Sequence, residues 1–454
     1  MRFTRPLLDS RALARLLVLA SISALSVTAA SCASRDDGPL APDGIDGSPD
    51  APVDTNAGDD DATLDGGPKD SDVVDATPLA IECAAPPCAT ALSTTLRRDH
   101  NSREEGYCAL LSDRTVACWG SNAAGQLGNG DLAIVDSPVP LRVPGLTNIV
   151  ALDHTCAVDG DGAVWCWGRG AFLQSEAAAT TIEPSPVRLP LPGPASKVSV
   201  GLDVGCAILR DTRVVCWGSN GGLQVDKDAP NSKRNEDPQP VELASGATDI
   251  AVSNASFALQ DDGTMLSWGR KPALGRHASH YADGWPAPLQ LDRVSMVDTI
   301  DDEACAVANG VGWCWGPIEA TTGAYGPERA LPIAVDTPEP ITRIATSRAW
   351  TVTEHKVLTY ERRRWCATAV SGTVYCWGLN NAGQAGDGTR EFALAAVPVA
   401  GLPEPAAEVK LMPYSTCSIL TNGKIWCWGN NFNGQLGADL PKGSVDAPVE
   451  VILP

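Results

Sequence analysis

The chain has 454 residues, with 55 Asp and Glu against 34 Lys and Arg and a formal net charge of −21. So acidic a chain lacks the basic footprint that phosphate backbones demand, which argues against nucleic acid as a partner. The length fits two or three ordinary domains or one large repeat domain with attachments, so internal repeats must decide.

At the N-terminus, Arg2, Arg5, Arg11 and Arg15 precede an apolar run from Leu16 to Ala30, followed by AASC. The run falls short of the ~20 apolar residues a membrane crossing needs and reads as a secretory signal over residues 1–31. Small residues before Cys32 and an acidic stretch after it resemble the lipobox of bacterial lipoproteins, although Ala29 stands where Leu is usual. The resemblance implies that Cys32 carries a lipid, the chain's one link to a membrane, and Ala33 fits outer-membrane sorting; the competing reading is ordinary secretion with a spare thiol. Residues 32–78 read as a disordered tether, since Asp36–Thr77 hold thirteen Asp, one Lys and no aromatic residue, too little apolar surface to offset ordering entropy. The tether carries −12 and residues 1–35 carry +4, leaving −21 − 4 + 12 = −13 on the remainder. DGIDGSPD and DDDATLDGG lack the ligand spacing of a calcium loop.

Residues 79–454 repeat. Trp-Gly recurs at Trp119, Trp167, Trp217, Trp268, Trp315, Trp377 and Trp428, with spacings of 48, 50, 51, 47, 62 and 51. Such periods suit propeller blades rather than short solenoid turns. Before each Trp-Gly, two runs rich in Val, Ala and Cys flank a polar turn, a hairpin signal. A Pro-rich strand such as SPVPLRVPG precedes the next hairpin, and no segment has a capped helical period. The tails SNAAGQLGNG, LNNAGQAGDG and NNFNGQLGAD complete W-G-x-N-x-x-G-Q-L-G, which resembles the regulator of chromosome condensation repeat. The resemblance implies an all-β, seven-bladed propeller. The chain ends in SVDAPVEVILP, a Pro-Val strand that copy one lacks upstream, so the C-terminal strand is expected to complete the first blade and close the ring. Copy six carries about eleven extra residues, with Trp350 and Tyr360 mimicking the cysteine spacing, and is expected to hold an extra hairpin or long loop.

Twelve cysteines form six repeat pairs: Cys108 and Cys118, Cys156 and Cys166, Cys206 and Cys216, Cys305 and Cys314, Cys366 and Cys376, Cys417 and Cys427; Cys83 and Cys88 lie just upstream. Copy four has Phe257 and Ser267 at both positions, a joint loss expected of residues that touch. Partners facing across a hairpin lie about 4.5–5.5 Å apart at Cα, within disulfide reach. Cross-strand disulfides suit an exported chain; buried thiols are the alternative, and zinc lacks a ligand set.

Candidate chemistry is sparse. His100, His154, His277, His280 and His355 form no ligand motif, no Ser sits in G-x-S-x-G and there is no phosphate loop. Asp159, Asp161, Asp211, Asp261 and Asp262 lie on hairpin turns, where turn chemistry explains them. Trp165, Trp313, Trp426 and Tyr375 read as core. The basic cluster ERRRW, with Arg362, Arg363, Arg364 and Trp365, is a candidate contact for an anionic partner. The resulting expectation is a monomeric, exported, non-enzymatic binding protein without cofactor or metal, its propeller presented to a protein or glycan. The alternative is an extracellular carbohydrate-active enzyme with carboxylates at the propeller centre.

Overall fold

The computed structural model describes residues 74–95, 104–170, 182–229, 234–316, 329–347, 350–354, 357–361, 363–438 and 440–454. Cys32, Arg362, His100 and His355 lie outside them, as do the signal and nearly all of the tether. Every regular element among the described residues is a β-strand. In the second repeat, Ile149–Asp153, Cys156–Asp159, Val164–Gly168 and Glu183–Arg188 pair in sequence order as one antiparallel sheet. Its DGDG turn is tied locally, Asp159 Oδ1 accepting from the Asp161 and Ala163 N–H groups at 3.0 and 2.9 Å. Seven such four-stranded sheets form, plus one two-stranded hairpin, Trp350–Glu354 with Val357–Glu361.

Each sheet begins with an inner strand: Ala89–Thr94, Ile149–Asp153, Ala195–Val200, Ala247–Val252, Val294–Ile300, Ile341–Thr346 and Ala406–Leu411. These pack neighbour to neighbour in a circuit that returns to its start, the seventh lying against the first. The fold is a seven-bladed β-propeller.

The Pro-rich strands belong to the blade before them rather than the blade after. Asp136–Arg142 pairs with the Cys-Trp-Gly strand Val116–Ser121 of blade one, and the C-terminal Ser444–Val451 pairs with Ile425–Asn430 of blade seven. The expectation that the last strand completes blade one is therefore corrected. Blade one is built wholly from Ala89 onward, because each outer strand finds its nearest partner across a short local connection.

The ring closes by packing and by one hydrogen bond repeated at all seven interfaces. The first residue of each inner strand donates its N–H to the carbonyl of a positive-φ residue in the preceding blade's hairpin turn. Ile149 donates to Arg114, Ala195 to Gly162, Ala247 to Thr212, Val294 to Gly263, Ile341 to Gly310 and Ala406 to Gly372, at 2.8–3.3 Å. Ala89 to Gly423, at 2.8 Å, is the same bond across the closure.

Trp-Gly has a positional cause. In every blade the pairing with the outer strand skips a residue at the Trp, between Cys118 and Gly120 in blade one and at the equivalent place in the other six. A bulge of this kind bends the strand and re-aims one side chain. The following Gly takes φ of 97° at Gly120, where a Cβ would lie 2.4 Å from the Glu105 carbonyl. The ring is thereby turned into the gap between blades: Trp119, Trp167, Trp217, Trp268 and Trp428 are fully buried.

Disulfides join all six repeat pairs with Cα separations of 4.1 Å, tighter than the opposed-strand distance expected from sequence. A further bridge joins Cys83 and Cys88. In blade four the Phe257 ring, fully buried and edge-on to Trp315 at 5.8 Å, occupies the vacated place. Ser267 there donates to the Leu274 carbonyl at 2.7 Å.

Candidate binding site at the channel mouth

The inner strands bring a mixed set of charges to the propeller axis. Lys197 of blade three pairs with Asp249 of blade four at 2.8 Å, and Lys410 of blade seven with Glu408 at 3.4 Å. Asp153 of blade two and Asp298 of blade five each accept an N–H from the next blade, from Val200 at 2.9 Å and Thr346 at 2.8 Å. Ser93 and Ser199 brace their neighbours the same way, through the N–H groups of His154 and Val252. Burial pushes the Asp298 carboxyl above its usual range, although Lys410 and the Thr346 N–H work against this. Burial opposes the Lys410 charge, but Glu408, Asp298 and Asp153 outweigh it and hold the ammonium above its ordinary value.

The inner strands all run from the hairpin turns to the opposite face, where they frame a small cavity at the channel mouth. Thr94, His154, Leu202, Val252, Ile300 and Met412 are among its walls, with Ser347 contributed by blade six. All seven blades reach it, and its lining is largely apolar. The inserted hairpin of copy six leaves blade six between Thr346 and Arg364, beside this mouth.

Of the ERRRW cluster, Arg362 lies outside the described residues, and Arg363, Arg364 and Trp365 are engaged within the propeller. Arg364 is 1% exposed, and its guanidinium donates to the carbonyls of Met412, Gln384 and Ser415 and to Thr416 Oγ1. Burial lowers its pKa to about 10. Arg363 pairs with buried Glu303 of blade five at 3.1 Å, and Trp365 stacks on Trp377 with ring centroids 6.2 Å apart. Arg363 and Arg364 are thus spent joining blades five, six and seven, and no anionic partner is assigned to them. Beside Arg364, Glu105 of blade one accepts from the Tyr414 N–H at 2.7 Å and Ser415 Oγ at 2.6 Å. Tyr107 bonds the same Ser415 hydroxyl at 2.9 Å. Sequence spacing gave no signal for this network, whose members lie more than 300 residues apart.

The half-buried residues two before Trp also serve architecture: Trp165 Nε1 donates to Asp159 at 2.9 Å and the Tyr375 hydroxyl to Glu339 at 3.1 Å. Among the described residues, no group of three or more His, Cys, Asp and Glu side chains is placed to hold a metal. No helix among them is long and apolar enough to cross a membrane.

A family model described as Regulator of chromosome condensation (RCC1) repeat matches residues 152–174 and 413–435, each spanning a cysteine hairpin and Trp-Gly. The chain carries regulator of chromosome condensation repeats. The repeat's tail now has a structural meaning: its Asn122, Asn380 and Asn431 fold the tail by accepting the N–H five residues on. The carbonyls of Gln126, Gln384 and Gln435 accept Trp167, Trp428 and Trp119 Nε1 of the next blade at 2.8, 2.9 and 3.0 Å.

No curated protein matches the chain by sequence. Among solved structures, human WBSCR16 is similar at 19% identity and a TM-score of 0.62, covering 75% of this chain and 95% of that one. Yeast RCC1 (Prp20), solved with Kap60 bound to it, is similar at 16% identity and 0.59, covering 82% of this chain and 87% of that one. Prp20p of Saccharomyces cerevisiae, described with its binding properties to Gsp1p and histones, gives 16% and 0.59 over 84% of this chain and 90% of that one. At these identities the likeness establishes the repeat's propeller fold alone.

Proposed function

We propose that this protein is an exported, non-enzymatic binding protein whose channel-mouth face docks a protein partner. The observation that carries the reading is the apolar mouth itself, to which all seven blades contribute. Residues from Val74 onward run along the opposite, hairpin-turn face, so the mouth lies away from the point where the chain enters the propeller. Seven disulfides suit an oxidising compartment. On this reading the signal directs export, Cys32 carries a lipid anchor, and the tether holds a monomeric propeller clear of the membrane. Prp20p, described as binding Gsp1p and histones, is a precedent for protein binding on the same fold.

The test is cross-linking and capture from cell envelopes with the mature chain, a Leu202→Asp variant and a variant lacking residues 350–361. The expected result is one defined partner lost with Leu202→Asp at an unchanged melting temperature; equal capture by both variants would sink the reading. The second reading, a glycan-cleaving enzyme, rests on Asp153 and Asp298 near the axis, the latter with its carboxyl held up by burial. Both are already engaged by backbone N–H groups of the next blade, which favours a bracing role. Glycan hydrolysis abolished by Asp298→Asn would restore the enzyme reading.

A further inference from the structure

Blade four, which lacks the cystine, carries two exposed aromatic residues. Among residues whose side chains are described, Trp285 is the one exposed Trp, at 61%, and Tyr281 the one exposed Tyr, at 67%. Large exposed rings are uncommon away from recognition surfaces, where Trp and Tyr dominate binding energy.

Trp285 is also held in place. Its N–H donates to Asp283 Oδ1 at 3.1 Å, and its carbonyl accepts from Arg276 at 2.9 Å. Arg276 is in turn fixed by Asp283 at 2.8 Å. The preceding Gly284 lies so close to blade three that a Cβ would sit 2.7 Å from the Leu223 carbonyl. Lys227 of blade three, 17% exposed, places its ammonium 4.3 Å from the centre of the indole. An aromatic ring immobilised before binding loses little entropy when it docks.

The surroundings are acidic. Beside Trp285 a groove of about 200 Å³ runs between blades three and four, with Asp226, Asp228 and Glu242 among its walls. Among the described residues that line it, the one cation, Lys227, is already engaged by Asp228 at 2.7 Å and Glu242 at 3.6 Å. Among the described residues of its walls, three carboxylates against one ammonium leave a charge of −2 beside the Trp285 ring.

We propose that the Tyr281–Trp285 ridge and the acidic groove beside it form an interaction site on blade four for a basic protein segment, one that packs apolar side chains on the rings and sets Lys or Arg against Asp226, Asp228 and Glu242. The site is separate from the channel mouth and stands whether or not the mouth binds a partner.

The mature chain is incubated with an array of synthetic peptides spanning acidic, neutral and basic sequences, together with neutral oligosaccharides. Trp285→Ala, Tyr281→Ala and Asp228→Lys proteins are compared with it, after their melting temperatures are found equal to wild type. The expected result is a set of basic, apolar-containing peptides that bind wild type, weaken with salt, and bind Trp285→Ala and Asp228→Lys on the order of tenfold less tightly. Trp285-dependent binding confined to acidic peptides or to oligosaccharides overturns the proposal. So does a complete absence of Trp285-dependent binding.

Discussion

At the residue scale, the repeat signature is a set of reciprocal obligations between neighbours. Trp needs Gly because the bulge that turns the ring inward forces the next residue to positive φ. Its buried indole N–H must find an acceptor, and a main-chain carbonyl in the preceding copy's tail supplies it, from Gln126, Gln224, Gln384 and Gln435 and, for Trp315, from Ala273. Asn122 carries an equal share: its Oδ1 accepts from Leu127, and its Nδ2 donates to the Asp131 and Ile134 carbonyls. Asn122→Ala removes all three bonds inside a closed tail and should cost roughly 2–3 kcal/mol, read as a lower denaturant midpoint. Glu303 makes a second prediction. Burial raises its folded pKa from the usual 4.5 to about 7, with Arg363 opposing the rise, so the folded chain binds this proton more tightly than the unfolded chain. Stability should therefore fall as pH rises from about 4.5 to about 7 and level off above, by about 3 kcal/mol. Glu303→Gln, which cannot ionise, should flatten that part of the profile in thermal melts across pH; an unchanged profile would refute the assignment.

At the element scale, each blade is one hairpin stapled by sulfur and flanked by an inner and an outer strand. A bridge closing so short a loop contributes only about 2–3 kcal/mol in the chain-entropy model. Alkylation of the unreduced protein should leave the fourteen propeller cysteines unmodified, as judged by intact mass. Blade four makes the sharper case, since Phe257 and Ser267 face each other in register as the cysteines do elsewhere. The double substitution Phe257→Cys with Ser267→Cys should form an eighth bridge in air-oxidised protein, visible as a mass lower by two hydrogen atoms. It should nonetheless lower stability by about 1–3 kcal/mol, because losing a buried Phe costs about 3–5 kcal/mol and the bridge returns less. A gain in melting temperature would mean that the Phe257 contact with Trp315 contributes little.

At the scale of the whole molecule, closure is the decisive event, and it is made at the start of the chain. Ala89 completes the sevenfold ring of hydrogen bonds against Gly423, while Trp119, Tyr107 and Leu92 share a core cluster with Cys417, Ile419 and Ile425 of blade seven. The segment before Ala89 extends the clasp along the turn face. Val74, inside the stretch assigned from sequence to the tether, already touches the turn glycine Gly310, Leu79 meets Gly372, and the Glu82 N–H reaches the Thr421 carbonyl at 2.7 Å. Deleting residues 74–82 should leave blades two to four unchanged while raising amide hydrogen exchange in blades five to seven. Uniform exchange across the blades would show that the clasp bears no load.

Much of this architecture was legible because it is local and repeated. Seven Trp-Gly pairs count the blades, and the nine- or ten-residue cysteine spacing makes a hairpin whose facing positions are fixed by the period of two. The joint substitution at Phe257 and Ser267 betrays contact without any structure. What the sequence could not determine is which neighbour a Pro-rich strand chooses, since a strand between two hairpins has the same composition whichever it joins; folding assigned it backward and so moved closure from the C-terminal strand to Ala89. Nor could local pattern reveal that Arg364 is interior. A run of arginines has the composition of a solvated face, and only the carbonyls of Met412 and Ser415, arriving from blade seven, together with that of Gln384 in blade six's own tail, give Arg364 enough acceptors to be buried. The repeat by itself determined the number, order and stapling of the blades; the tertiary structure alone decided what lies between them, because the groups that satisfy a buried charge come from segments far apart in the chain.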